Sequence, residues 1–351
     1  MNVLLVNHYP EHQHEILAQV IDELKTLNGG HRYRLVHDLK PRARHFLWTL
    51  GLPTRVVSFY QLRAFQPDWA VVWTQRALTK SVEYEILDRA GIPVPRWAKL
   101  TSLDSKPDLS AFSDYVVVKP DWGCCGALIR VRSKNAVRWE KLPTLERAPH
   151  RISEALIVQD YVHTGSWPVS YRVGTVFGEP IYAWRITGDK SRSPFEERKR
   201  NARFFNGRSI VSNTKRSLFD TQVPEDVIDF AGKVHTAFPS IPLLGTDIIR
   251  DADTGKLYAL DMNTNGNTFH LTSDAGKSIS RDFNLDLSAQ FGGAKAIARG
   301  IFQRLSSSES EIASIASLSR NDVIIPDWGP SWVRRPQAGE AISNSRDLVK
   351  S

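Results

Sequence analysis

The sequence predicts an α/β protein of two or three domains with room for a cleft between lobes, and three stretches carry that reading. The chain opens with an apolar strand, a loop and an amphipathic helix, which is how an α/β layer begins. A β-branched segment, "YVVVKPDWGCCGALIRV", runs a lysine into a glycine-rich hairpin loop. A second hairpin, between Leu243 and Asn267, sets carboxylates on paired strands. At roughly 100–200 residues per domain, 351 residues supply the two or three units.

Composition narrows the setting. With 41% hydrophobic and 24% charged residues, the chain has the make-up of a globular protein. No apolar run reaches the ~18–20 residues that span a bilayer, and "MNVLLVNHYPEH" lacks the basic start and long apolar stretch of a signal peptide, so a cytoplasmic protein with no membrane partner is expected. The adjacent Cys124 and Cys125 can neither staple distant segments nor build a zinc site, which fits a reducing compartment. A net charge of +8 suits an anionic ligand such as ATP as well as it suits nucleic acid.

In order, "NVLLVN" is the first strand, and Ile16, Leu17, Val20, Ile21 and Leu24 form the apolar face of the helix behind it. The loop between them holds no G-x-G-x-x-G, so a dinucleotide fingerprint is absent. His8, His12 and His14 could meet a metal or substrate there, although solvated loop histidines are the simpler reading. Strands follow at "RYRLV", "TRVVSF" and "DWAVVW", the last read as a buried parallel strand from its near-continuous apolar run. Val82, Ile86 and Leu87 mark a helix that Lys80 opens and Gly91 caps, with Pro93 and Pro95 forcing an extended exit.

"YVVVKP" then places Lys119 at a strand end, beside a loop in which Gly123 and Gly126 allow close backbone approach to phosphates; a plain hairpin with a surface lysine is the alternative. "EALIVQDYV" is a buried strand running into a bend. "SYRVGTVFGEPIYAWRI" is a hairpin turning at "FGEP", with Arg172 and Arg185 on its two arms. Arginines on sheet positions suit a phosphate or carboxylate clamp, unless both face solvent. Residues 188–217 are basic and poor in apolar periodicity, as in a long mobile binding loop. Phe204 and Phe205 within it admit a nucleic-acid arm as the less favoured alternative.

"PEDVIDFAGKVHTAF" is a helix leading into the strands "TDIIR" and "LYALDMN", joined by the turn "DADTGK". Asp247 lies early in the first strand and Asp261 late in the second, so antiparallel pairing brings them together, and Asn263 shares the face of Asp261. Three hard oxygen donors of this kind suit Mg²⁺, with Mn²⁺ the alternative; ordinary strand-end residues are the bland reading. "SAQFGGAKAIARGIFQRL" is a closing helix, and the Ser-rich tail from Ser306 is expected to be partly disordered.

The order and spacing of these pieces resemble the ATP-grasp superfamily of carboxylate-amine ligases, over about Thr79 to Leu305. The resemblance implies an amino-terminal α/β domain over residues 1–78, a small ATP-grasp lobe over 79–163, a large lobe with the metal site over 164–305 and a tail over 306–351. It implies that Lys80 and Lys119 contact ATP phosphates under the loop of Gly123 and Gly126. "QDYV" resembles the hinge strand, so Gln159 and the backbone of Asp160, Tyr161 and Val162 would bind adenine. Arg172 and Arg185 are carried over as clamps, and Asp247, Asp261 and Asn263 as metal ligands. The chain departs from the pattern at Ser170, where an acidic residue is common, and at Gly266 and Asn267, where Pro-Gly is usual. The Arg-x-x-Asn element has Arg200, Asn201, Arg203 and Asn206 as candidates.

The resemblance implies ATP-dependent joining of a carboxylate to an amine through an acyl phosphate. A small-molecule kinase and a non-catalytic nucleotide-binding module are the rival readings. Partners would be small-molecule or peptide substrates, and the oligomeric state stays open, a homo-oligomer included.

Overall fold

The computed structural model describes residues 1–8, 10–27, 30–37, 51–62, 70–102, 107–122, 128–140, 155–191, 205–206, 217–264 and 266–307. The protein is α/β, with three sheets along the chain. The first is wholly parallel, in the order β2-β1-β3-β4, from β1 (Asn2–Asn7), β2 (Arg32–His37), β3 (Thr54–Ser58) and β4 (Val71–Thr74). β1 and β3 are buried throughout, as their apolar runs require. β4 differs from its expected place in the interior: it is an edge strand, as β2 is on the other side, and Val71 at its start is exposed. Helix α1 (Pro10–Thr26) turns Leu17, Val20 and Leu24 inward, as their spacing predicts.

A second sheet, in the order β11-β7-β6-β8-β5, is antiparallel and follows helix α2 (Lys80–Arg89). Its strands are β5 (Trp97–Leu100), β6 (Tyr115–Pro120), β7 (Arg130–Ser133), β8 (Leu156–Asp160) and β11 (Phe205–Asn206). α2 ends at Gly91, whose φ of 66° lets Ile92 N–H reach Leu87 O at 2.9 Å and Gly91 N–H reach Asp88 O at 3.1 Å, a closure only glycine makes without strain. Of the basic segment 188–217, Phe205 and Asn206 pair with Val131 and Arg130, so the chain returns to this sheet. Residues 192–204 and 207–216 of that segment, and the tail from 308, lie outside the described residues.

The third sheet runs β12-β10-β9-β13-β14, from β9 (Val169–Val176), β10 (Glu179–Thr187), β12 (Leu218–Asp220), β13 (Leu243–Arg250) and β14 (Leu257–Asn263). One face packs on helix α3 (Glu225–Thr236), where Val173, Ala183 and Ile248 meet Val227 and Ala231. Helix α4 (Asp274–Phe283) was not expected from periodicity; its start is marked by Ser273, whose hydroxyl accepts from Gly276 N–H. Helix α5 (Ala294–Ser306) packs beside α1, and a single apolar core joins the first and third sheets, from Val3 and Leu17 through Tyr182 and Trp184 to Ile301. A second core joins Tyr84 and Leu87 of α2 to Leu244, Ala259 and Met262, seating α2 against β14.

His235 of α3 is a buried strut. Its Nε2–H donates to Ile241 O at 2.8 Å, and its Nδ1 lies 2.6 Å from Thr175 Oγ1, whose hydroxyl it can accept. Burial, helped by Arg304, lowers its pKa to about 4, below the usual 6.5. The folded state therefore refuses a proton that the unfolded state accepts, so the stabilisation is complete above pH 6.5 and is lost as pH falls toward 4. We expect unfolding free energy from urea titration to drop by about 3 kcal/mol across that window. His235→Gln should lower stability at neutral pH yet flatten the decline; an equally steep decline in the variant would remove His235 as its source.

Candidate active site

The face of the third sheet opposite α3 carries two rows of side chains, set by register. Trp184, Arg172, Asp247 and Asp261 lie side by side across β10, β9, β13 and β14. Tyr182, Gly174, Gly245 and Asn263 form the adjacent row. The two glycines leave room for what crosses them: a methyl at Gly174 would collide with the Tyr182 ring, and one at Gly245 with Thr268 Oγ1. Tyr182 is held there by its hydroxyl, which donates to Thr268 O at 2.7 Å. Burial raises its pKa to about 12, so it remains a neutral phenol.

Arg172 grips Asp247 with two parallel bonds, Nε to Oδ1 and Nη2 to Oδ2, both 2.6 Å. Burial works against the guanidinium charge, but the Asp247 carboxylate more than offsets it and raises the Arg172 pKa. Beyond it sit Trp184 and His270, ring centroids 5.1 Å apart. Burial, then the Arg172 charge, lowers the His270 pKa to about 3, so its imidazole is neutral. His270 Nδ1 lies 3.0 Å from Ser273 Oγ.

Helix α2 and strand β6 bring two lysines to β14. Lys80 Nζ donates to Asp261 Oδ1 in a close ion pair. Burial opposes the charge on each partner, yet each holds the other charged: the Lys80 pKa is raised and that of Asp261 lowered. Lys119, 4% exposed, donates to Tyr84 OH at 2.5 Å and to Leu260 O at 3.3 Å. Tyr84 OH in turn donates to Leu260 O at 2.7 Å. Burial, then the neighbouring Lys80 charge, brings the Lys119 pKa down to about 7. Glu83, one helical turn after Lys80, is buried too; desolvation, then the Asp261 charge, push its pKa well above its ordinary value, and its Oε2 accepts from Met262 N–H at 3.4 Å.

Asp247, Asp261 and Asn263 share this face. Asn263 Nδ2 donates to Gly245 O at 3.1 Å, which leaves its Oδ1 as an acceptor beside the two carboxylates. Among the described residues no group of three or more His, Cys, Asp or Glu side chains could hold a metal ion; Asp247, Asp261 and Asn263 offer two carboxylates and an amide. All three are hard oxygen donors, and they fit Mg²⁺, which takes the rest of its ligands from water and phosphate.

Other expected residues stand elsewhere. Arg185 opposes Tyr171 rather than Arg172, which turns it to the α3 face, and it pairs with Asp220 at 2.8–2.9 Å. The structure thus does not unite the two arginines in one clamp. Gln159 is fully buried between Val117 and Trp97. The Asp160 carboxylate accepts from Ser113 N–H and Oγ at 2.9 and 3.0 Å, while Tyr161 and Val162 carry the chain from β8 toward β9. His8 stacks on Tyr60, centroids 5.5 Å apart, and His14 lies 3.5 Å from Asn7 Nδ2. Gly123, Cys124, Cys125, Gly126, Arg200, Asn201 and Arg203 lie outside the described residues, as do the side chains of His12 and Asn206.

Sequence reasoning passed over Glu83, Tyr84, Asp121, Trp184 and His270. Glu83 and Tyr84 carried a signal, since positions three and four after Lys80 lie on its side of the helix.

No protein-family model and no curated protein matches the chain. Among solved structures it is similar to the ATP-grasp ligase PsnB complexed with minimal precursor, at 15% identity over 86% of this chain and 98% of that one, TM-score 0.46. It is similar to D-alanine–D-alanine ligase from Bacillus anthracis at 12% identity, covering 89% and 99%, TM-score 0.40. The macrocyclase MdnC from Microcystis aeruginosa, bound with the precursor peptide MdnA, gives 11% identity, 86% and 100%, and 0.44. No helix among the described residues is long and apolar enough to cross a membrane.

Proposed function

We propose that this chain is an ATP-grasp ligase that uses ATP to join a carboxylate to an amine through an acyl phosphate. The observation that carries the reading is the convergence of Lys80, Lys119 and Arg172, from three elements, on the Asp247 and Asp261 face. Phosphoryl transfer asks a protein mainly for positioning and for charge opposite the phosphates, and this set supplies both. Asp247, Asp261 and Asn263 would hold Mg²⁺ or Mn²⁺, which when bound neutralises phosphate charge.

The chain's own groups account for the rest. Lys80 and Lys119 exchange their present partners on β14 for phosphate oxygens, and the backbone at Asp160, Tyr161 and Val162 faces the adenine. Arg172 keeps Asp247 ionised and in place, and turns its remaining N–H groups toward the substrate acid. A carboxylate oxygen bonds to the γ-phosphorus as the bond to ADP breaks. The amine nitrogen then bonds to the acyl carbon, losing a proton, as phosphate leaves. Acid and amine are small molecules or peptide groups; nucleic acid is not required by any part of this set.

The test is turnover with Mg·ATP, hydroxylamine and fractionated metabolite and peptide pools, read by mass spectrometry. ADP formed together with a hydroxamate is expected, because hydroxylamine traps an acyl phosphate, and the hydroxamate mass identifies the acid. A phosphorylated product without hydroxamate would replace the ligase with a kinase. ATP binding with no turnover in any pool would favour a nucleotide-binding module.

A further inference from the structure

Asp121 stands two residues after Lys119, and almost all of its hydrogen-bonding capacity is spent on the start of α2. Its Oδ1 accepts from Ser81 N–H at 2.8 Å and its Oδ2 from Ser81 Oγ at 2.9 Å. Its backbone carbonyl accepts from Lys80 N–H at 3.0 Å, and its own N–H donates to Ala155 O at 2.9 Å. Lys99 of β5 completes the node, with Nζ 3.1 Å from both Asp121 Oδ2 and Ser81 Oγ. The Asp121 side chain is 2% exposed. A buried carboxylate is costly unless paired and hydrogen-bonded, and here it is both.

A helix begins with N–H groups that have no partner inside the helix, and its first residue's own cap normally serves them. The cap residue Thr79 serves Val82 N–H with its hydroxyl at 3.4 Å and Glu83 N–H with its carbonyl at 3.0 Å, and neither reaches the first two N–H groups of the helix. The N–H groups of Lys80 and Ser81 are served from outside the helix, by the residue that directly follows the Lys119 strand. A carboxylate at that end is also favoured by the helix dipole. One residue therefore fixes the backbone from which Lys80 reaches Asp261 and the backbone from which Lys119 reaches Leu260.

We infer that Asp121 is a positioning residue for the two lysines: it locks the start of α2 to the end of β6, so that both ammonium groups meet the phosphates of one nucleotide. This rests on the nucleotide reading of the site. It assigns Asp121 no contact with substrate, and its whole effect passes through Lys80 and Lys119.

The experiment is a double-mutant cycle read by Mg·ATP affinity on the full chain, with Asp121→Ala, Lys80→Ala and the pair. Asp121→Ala is expected to weaken binding on the order of tenfold, and the double variant to lose less than the two single losses combined, keeping only the part of the Asp121 effect that passes through Lys119, because coupled residues are not additive. Asp121→Asn, which keeps an acceptor for Ser81 N–H, should lie between wild type and Asp121→Ala. If Asp121→Ala does not fold, Ser81→Ala and Lys99→Ala replace it in the same cycle. Additive losses, or a lower melting temperature with unchanged affinity, overturn the positioning role alone. A wild-type chain that does not bind Mg·ATP overturns the nucleotide reading and this inference together.

Discussion

Asp261→Asn is expected to cut ADP release at saturating Mg·ATP by at least about 10²–10³-fold, the cost of removing one preorganised electrostatic group from a reaction that depends on them. The amide keeps the shape of the side chain and removes its charge. Lys80, whose ammonium is held by that carboxylate, loses its partner and its direction. The proposed metal set would also lose one of its two anionic ligands, leaving Asp247, whose charge is already engaged by Arg172. Asp253→Asn, in the exposed turn of the same hairpin, serves as the control and should retain wild-type turnover. Wild-type turnover in Asp261→Asn itself would remove this face from the chemistry.

Lys119 should make nucleotide binding pH-dependent. With a pKa of about 7, depressed by burial and by Lys80, its amine is half protonated at neutrality. Phosphate beside it favours the ammonium, so binding takes up a proton wherever the free protein lacks one. Affinity for Mg·ATP is then expected to fall as pH rises above 7, approaching about tenfold per unit and reaching about 50-fold between pH 7 and 9. Titration calorimetry in buffers of differing ionisation enthalpy would count the proton. Lys119→Arg, charged throughout, should bind without this slope, and Lys119→Ala should bind weakly at every pH. A flat wild-type profile from pH 7 to 9 would mean that Lys119 does not meet phosphate as a cation.

The fold was legible wherever one segment decides its own conformation. Strand runs such as "NVLLVN", the spacing of Leu17, Val20 and Leu24, and Gly91 at a helix end are local signals, and each stands where it was read. β4 was misplaced because an apolar run does not reveal which neighbour it lacks. α4 was overlooked because its start rests on the Ser273 cap rather than on a long apolar stripe.

By itself, the sequence determined the residue types of the site and the elements that carry them: lysines at a helix start and a strand end, an arginine hairpin, and two aspartates and an asparagine on a second hairpin. Only the tertiary structure decided which of them face one another, and two β-bulges made the decision. An unbroken register would set Arg172 and Arg185 on the same face; the extra residue Ile181, between Pro180 and Tyr182, shifts the pairing by one and turns Arg185 away. In β14 the extra residue is Leu260, and here the shift works in the opposite sense. From the Arg250 and Leu257 end an unbroken register would put Leu260 across from Asp247, whereas the bulge brings Asp261 there and leaves the Leu260 carbonyl to Tyr84 and Lys119. A strand alternates with a period of two, so one inserted residue exchanges its faces, and strand sequence alone does not show where such a residue is inserted.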